Sequence, residues 1–305
     1  MTEFEQLLNR GGVNANPGAS TAEIAAFERD TGLALSPDLR AMYSRANGAR
    51  INARGLLELI PLTAVARYVA GFQTCGIPDC WGYFAFTDTN DSNPYCVCLA
   101  GPVAGYVVRV FHDDTASIAY RSLRSFLQAV IGAVDSGAAL WDLPHELSID
   151  TCDRTPADVA TARALLAFAE TLQPTSAERA DAQRWALALF SEGEIADVLR
   201  LLDIGDEYCR GEALQKLGAM TAPEATEAIR AHQRESRAFA RAVAKALRDA
   251  GIEVSEATDT SVRAEPGRVN LNLPMFFTHR KRPTILEDVV QRTRELIAYK
   301  TGSGG

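Results

Sequence analysis

The residues most able to do chemistry are cysteines, histidines and a set of aspartates. Six cysteines occur, at Cys75, Cys80, Cys96, Cys98, Cys152 and Cys209. Cys75-x4-Cys80 followed by Cys96-x-Cys98 invites a zinc reading. Structural zinc generally uses paired C-x2–4-C knuckles, and here one pair is wide and the other too close. Side chains alternate along a strand, so Cys96 and Cys98 read more simply as two buried thiols on one strand face. The four histidines, His112, His145, His232 and His279, fall in separate segments. His112 is the one base expected near Cys96 and Cys98, and a cysteine nucleophile would need it. His145-Glu146 follows Pro144 and reads as a solvated turn. Arg280-Lys281-Arg282, beside Phe276-Phe277, reads as a basic loop able to meet phosphate or an acidic partner. The chain has no G-x-S-x-G, P-loop, G-x-G-x-x-G or H-E-x-x-H motif. No catalytic, cofactor or metal set is assigned, and the expected chemistry is binding, without enzymatic activity.

The candidate binding residues are acidic and aromatic. Asp88 and Asp91 lie in one expected turn, Asp113 and Asp114 in another. If both turns sit at one end of a sheet, four carboxylates converge. They could imitate nucleic-acid phosphate or cap a basic protein site, with Trp81 and Tyr83 as anchors. The plainer alternative is that Asp is a common turn residue and Trp81 belongs to the core.

These residues need elements to hold them. Ser20-x-x-Glu23 is a capping box opening a helix that ends at Gly32. Ser36-Pro37-Asp38 opens a second, which stops at Asn47-Gly48. Residues 56–60, 81–86, 95–99 and 103–111 read as strands, 63–70 as a short helix, and 116–119 is too short to assign. Leu123, Phe126, Leu127, Val130 and Ile131 place a helix over 122–134. Residues 136–155 form a linker, on which Trp141 and Leu143 are expected to pack. From Thr155 the composition turns to Ala, Leu, Glu and Arg, with capping patterns at Thr155-x-x-Asp158, Thr175-x-x-Glu178 and Thr221-x-x-Glu224. Arg210-x-x-Ala213-x-x-x-Leu217 is echoed 31 residues later by Arg241-x-x-Ala244-x-x-Leu247, a weak repeat suggesting stacked helix pairs. Beyond 254, Glu265-Pro-Gly-Arg268 reads as a turn, Val269–Leu273 as a strand, and Thr284-x-x-Glu287 as the start of a last helix.

The order of pieces in the first half resembles the SUKH superfamily (the Smi-Knr family) over residues 4–134. The resemblance rests on ASTAEIAAFERDTGLALSPDLRAMYSRANGAR at 19–50, Leu59-Ile60-Pro61-Leu62, Trp81-Gly-Tyr-Phe-Ala-Phe-Thr-Asp88, Gly101-Pro102-Val103 and Ser125-Phe126-Leu127. It departs from the family in lacking a clean Gly after Asp88 and in its Cys-rich strands. It implies an α+β fold, a mostly antiparallel sheet flanked by helices. Many bacterial members resemble immunity proteins that neutralise secreted toxins. The expected organisation is a SUKH-like domain at 1–135, a linker at 136–155, an all-α, HEAT-like domain at 156–254, and an extended segment with a helix and tail at 255–305.

Charge narrows the partner. The 305 residues carry a net charge of -8. Residues 1–150 hold 10 basic against 16 acidic side chains, so most of the excess lies there. This excludes an ordinary nucleic-acid binder and suits a basic protein such as a nuclease or deaminase toxin domain. No apolar run reaches the roughly 18 residues of a membrane span, and no secretory leader is visible, so a cytoplasmic protein is expected. A regulatory scaffold binding a cellular protein through the helical half is the second reading. An enzyme with a site between the halves is the third.

Overall fold

A computed structural model describes residues 2–65, 82–88, 93–111, 116–140, 143, 147–174, 176–220, 222–231, 234, 241, 245, 264–265 and 268–269. The chain divides into two compact units, Met1–Ser191 and Glu192–Gly305. The fold is α+β.

The first unit is built on seven antiparallel strands lying in sequence order, an up-and-down meander. They are β1 (Val13–Ala15), β2 (Ala49–Ala53), β3 (Gly55–Leu59), β4 (Tyr83–Asp88), β5 (Tyr95–Cys98), β6 (Val107–Arg109) and β7 (Ser117–Tyr120). Its helices are α1 (Glu3–Leu8), α2 (Thr21–Thr31), α3 (Pro37–Arg45), α4 (Leu123–Ser136), α5 (Pro156–Thr171) and α6 (Ala177–Leu189). One lateral row crosses the whole sheet: Ala15, Ala49, Leu59, Thr87, Tyr95, Arg109 and Ser117.

Local signals set the helix starts. Ser20 and Glu23 form a reciprocal capping box, Ser36 caps α3 ahead of Pro37, and Ser122 caps α4. Each satisfies amide donors that a helix start leaves without intrahelical partners. Gly32 closes α2 in the left-handed conformation, φ +71°. Gly18 is required for another reason: a Cβ there would lie 1.9 Å from the Ser44 carbonyl oxygen. That close approach seats the chain on α3, with Ala19 N–H donating to the Tyr43 carbonyl at 2.8 Å.

One sheet face is dry. Phe4 and Leu7 of α1, Met42 of α3, and Phe126, Leu127 and Val130 of α4 meet Ile51, Leu57 and Leu59. Tyr95, Tyr120 and Phe126 cluster with centroids 4.8–6.2 Å apart. Tyr43 is fully buried and donates to the Ile60 carbonyl at 2.7 Å.

Several expectations need correction. α1 and β1 precede the first expected helix, and β2 pairs with β3 where no strand was expected. The strand expected over 103–111 is confined to Val107–Arg109. Gly101 and Gly105 turn the chain at φ +71° and +89°, and Gly105 N–H donates to the Cys98 carbonyl at 2.8 Å. The cap of α6 is Ser176, one residue after the expected Thr175, which lies outside the described residues.

The segment after α4 packs instead of bridging loosely. Leu140 N–H donates to the Arg54 carbonyl at 2.9 Å, and Ile149 N–H to the Ala119 carbonyl at 2.8 Å. Leu140, Leu143 and Ile149 are buried, while Trp141 lies outside the described residues. In the second unit, α7 (Ile195–Ile204) and α8 (Glu207–Ala219) form a packed pair, followed by helix at 223–231. Asp206 caps α8 by accepting from Cys209 N–H. Ala264–Glu265 pairs with Arg268–Val269 across the expected turn. The second repeat copy around Arg241 and the expected strand and helix beyond 269 lie largely or wholly outside the described residues.

Candidate protein-binding face

The expected binding residues are only partly described. Trp81, Asp91, Asp113 and Asp114 lie outside the described residues. Tyr83 and Asp88 occupy the two ends of β4, in register with Cys98 and Glu58 respectively. Five residue steps along the strand separate them by about 17 Å, so they are not one cluster. Because β4 to β7 form a meander, the β4–β5 and β6–β7 connections leave the same end of the sheet. Asp88 ends β4 on that side, and Asp91, Asp113 and Asp114 lie outside the described residues.

Beside Asp88 is a polar row that the sequence reading passed over. Asn14, Arg50, Glu58 and Asp88 stand in successive register across β1 to β4. Arg50 Nε donates to Glu58 Oε1 at 2.5 Å, with the arginine side chain 66% and the glutamate 35% exposed. The alternation explains the pattern: Ala49, Ile51, Leu57 and Leu59 turn to the core, so Arg50 and Glu58 face outward. That alternation about Gly55 is the signal that could have revealed the hairpin.

A solvent-open groove of about 320 Å³ adjoins this pair, lined by Asn16, Arg50, Glu58, Pro61 and Ala64 among others. Asn16 lines it, and Asn47 holds the adjoining backbone. Leu62 N–H donates to Asn47 Oδ1 at 2.9 Å, and Asn16 Nδ2 to the Asn47 carbonyl at 3.0 Å. Gly48, at φ +101°, makes the turn into β2.

The opposite sheet edge is closed by α5 and α6. Asp158 on α5 is fully buried. Its carboxylate accepts from Tyr106 OH at 2.8 Å, Arg121 Nε at 2.8 Å, Thr155 N–H at 2.7 Å and Thr155 Oγ1 at 2.8 Å. Burial alone would raise its pKa, but these donors outweigh it and hold it below the usual carboxylate value. Burial first, and then Asp158, push Tyr106 up to about 12. Trp185 of α6 donates Nε1–H to the Ala116 carbonyl at 2.6 Å. Arg154 Nε caps the end of α6 at the Ala188 carbonyl, 2.7 Å away. Thr155-x-x-Asp158 was legible as a helix cap, but not as a junction with Tyr106 and Arg121.

Cys96 and Cys98 are fully buried, and burial pushes both thiols up. They are poor nucleophiles and poor ligands in that state. Cys75 and Cys80 lie outside the described residues. Among the described residues, no group of three His, Cys, Asp or Glu is placed to hold a metal ion. Nor is any helix among them long and apolar enough to cross a membrane.

The first unit is thus an antiparallel α+β domain with one sheet edge sealed by helices and a polar face at the other. Residues 18–129 match the SMI1/KNR4 family (SUKH-1), which supports a SUKH-superfamily domain over that stretch of the first unit. α1 and β1 precede the matched span, and α5 onward follows it. No curated protein matches the chain.

Proposed function

We infer that the protein is an immunity protein that binds a secreted toxin domain and blocks its active site without catalysis. The family match over the sheet domain carries this reading, since the family is associated with immunity proteins. The acidic balance of residues 1–150 supports a basic toxin, a nuclease or deaminase domain, because opposite charge speeds encounter. Such a role places the protein in the cytoplasm of the protected cell, with no membrane or nucleic-acid partner of its own.

The acidic connections at one end of the sheet, carrying Asp88, Asp91, Asp113 and Asp114, with Trp81 and Tyr83 nearby in sequence, are proposed as toxin contacts. The test is expression of the toxin domain encoded beside this gene, with and without the protein. Rescue of growth together with an isolable one-to-one complex is expected. Growth arrest that persists, with no complex, would overturn the reading. The packed pair α7–α8 supports the second reading, a helical scaffold for a cellular protein. That reading predicts that residues 192–305 alone retain a partner.

A further inference from the structure

Asn47 is the only asparagine in the chain followed by glycine. That dipeptide carries a reaction of its own. The glycine main-chain nitrogen can attack the asparagine Cγ, because no Cβ on the glycine blocks its approach. A bond from the Gly48 nitrogen to Asn47 Cγ forms and the Cγ–Nδ2 bond breaks. The Gly48 amide proton leaves with the Nδ2 group as ammonia, and a five-membered succinimide remains. Water then opens the ring, at Cγ to give aspartate or at the main-chain carbonyl to give isoaspartate. The net change is hydrolysis of one amide, so water is the one co-reactant needed.

The fold both demands this dipeptide and restrains it. Gly48 is buried at φ +101°, and a Cβ there would lie 2.8 Å from Asn16 Nδ2, so the turn requires glycine. Asn47 is half-buried and anchored three ways. Its N–H donates to the Pro17 carbonyl at 3.0 Å, its carbonyl accepts from Asn16 Nδ2 at 3.0 Å, and its Oδ1 accepts from Leu62 N–H at 2.9 Å. The Gly48 carbonyl in turn accepts from Asn16 N–H at 2.9 Å. Ring closure needs Asn47 to turn about its Cα–C and Cα–Cβ bonds until Cγ meets the Gly48 nitrogen. The first rotation moves the carbonyl that Asn16 holds. The second takes Oδ1 from the N–H of Leu62, a buried residue, and leaves that donor without its partner.

We propose that Asn47-Gly48 is a latent deamidation site, which converts when this turn opens and which the hydrogen bonds from Asn16 and Leu62 hold back in the folded chain. The site does not depend on the immunity reading. Its place gives the conversion consequences. Asn47 and Gly48 form the turn into β2, beside the groove that Asn16 and Arg50 line. Isoaspartate lengthens the main chain by one methylene between residues 47 and 48, so the bonds to Pro17, Asn16 and Leu62 cannot all be recovered. A converted chain therefore does not return to the same turn, and conversion on opening is one-way. Aspartate keeps an oxygen for Leu62 N–H and is the milder product.

The test compares the full-length protein in native buffer and in guanidinium chloride, at the same mildly alkaline pH, by peptide mass spectrometry over days. In denaturant the peptide holding Asn47 should gain one mass unit before any other asparagine does, with isoaspartate the main product. In native buffer the gain should be about tenfold slower or more, because the rate is scaled by the fraction of chains whose turn is open. Equal rates in the two buffers overturn the restraint, and no gain in denaturant overturns the site. Asn16→Ala removes the side-chain donor and keeps the main-chain N–H that pairs with Gly48. It should raise the native rate about threefold or more, as one lost hydrogen bond would, and leave the rate in denaturant unchanged. An unchanged native rate overturns the part given to Asn16. The ratio for the parent decides the restraint whether or not that variant folds. Chains carrying isoaspartate, separated and refolded, should melt below the parent; an identical melting temperature overturns the one-way conversion.

Discussion

Asp158 shows how one side chain can join two parts of a chain. It caps α5 through Thr155 and takes hydrogen bonds from Tyr106 and Arg121, 52 and 37 residues away. Removing one partner of a buried ion pair leaves the other's charge without compensation. For Asp158→Asn, with Arg121 still about a third exposed, a loss of about 2–3 kcal/mol is expected. In a unit of this size that is a fall of roughly 5–10 °C in melting temperature, readable by calorimetry. The pH dependence follows from the shifts. Asp158 has a lowered pKa in the folded state, so its contribution is present above the usual carboxylate range and vanishes as pH falls through the folded value. Tyr106 is raised to about 12, so its contribution is present below about pH 10 and is lost as pH climbs from 10 to 12. Asp158→Asn should flatten the acid limb of the stability curve, and Tyr106→Phe part of the alkaline limb. The buried thiols give a second residue-scale outcome. Cys96 and Cys98 should escape maleimide labelling in the native protein and react on unfolding, as peptide mass spectrometry would report. Labelling of either in the native state would contradict their burial.

At the scale of elements, α6 and the segment at Ile149 cover the β7 edge of the first unit, and α5 joins it through Asp158. A chain ending near residue 140 would lose the Ile149 and Trp185 donors from that edge and the Asp158 acceptor from Arg121 and Tyr106. An open edge strand invites aggregation. Residues 1–140 are therefore expected to be unstable or aggregated, and residues 1–191 to melt cooperatively; scattering and circular dichroism distinguish them. A well-behaved 1–140 fragment would show that α5 and α6 are dispensable. What the sequence made legible divides along the same line. Ser20-x-x-Glu23, Ser36-Pro37 and Thr155-x-x-Asp158 were readable because a cap is a local hydrogen bond spanning three residues. The strand holding Cys96 and Cys98 was readable as a short apolar run, and all four of its residues are buried. β1 and β2 were not, because Val13-Asn14-Ala15 and Ala49–Ala53 hold few large apolar residues and gain their stability from pairing with distant strands. The Arg50–Glu58 pair was hidden for the same reason. It exists only once the hairpin register is set. The turn at Gly105 was overlooked inside the strand expected over 103–111, where a glycine at positive φ outweighs strand propensity.

For the whole molecule, the question is which of its two units carries the partner. The match to the SMI1/KNR4 family (SUKH-1) covers only residues 18–129, within the first unit. The acidic excess belongs to that unit as a whole: residues 1–191 hold 14 basic against 21 acidic side chains, while the matched span 18–129 holds 9 against 10. If binding is electrostatically guided to that unit, association should slow as salt is raised, because charges beyond about 8–10 Å are screened at physiological ionic strength. Dissociation, governed by desolvated contacts, should change much less. Surface plasmon resonance at 50 and 300 mM salt separates the two rates. The expected outcome is a drop of about tenfold or more in the association rate, with residues 1–191 retaining both the affinity and the salt dependence of the full chain. Retention of binding by residues 192–305 instead, with an association rate indifferent to salt, would transfer the function to the helical unit and leave the sheet domain as its support.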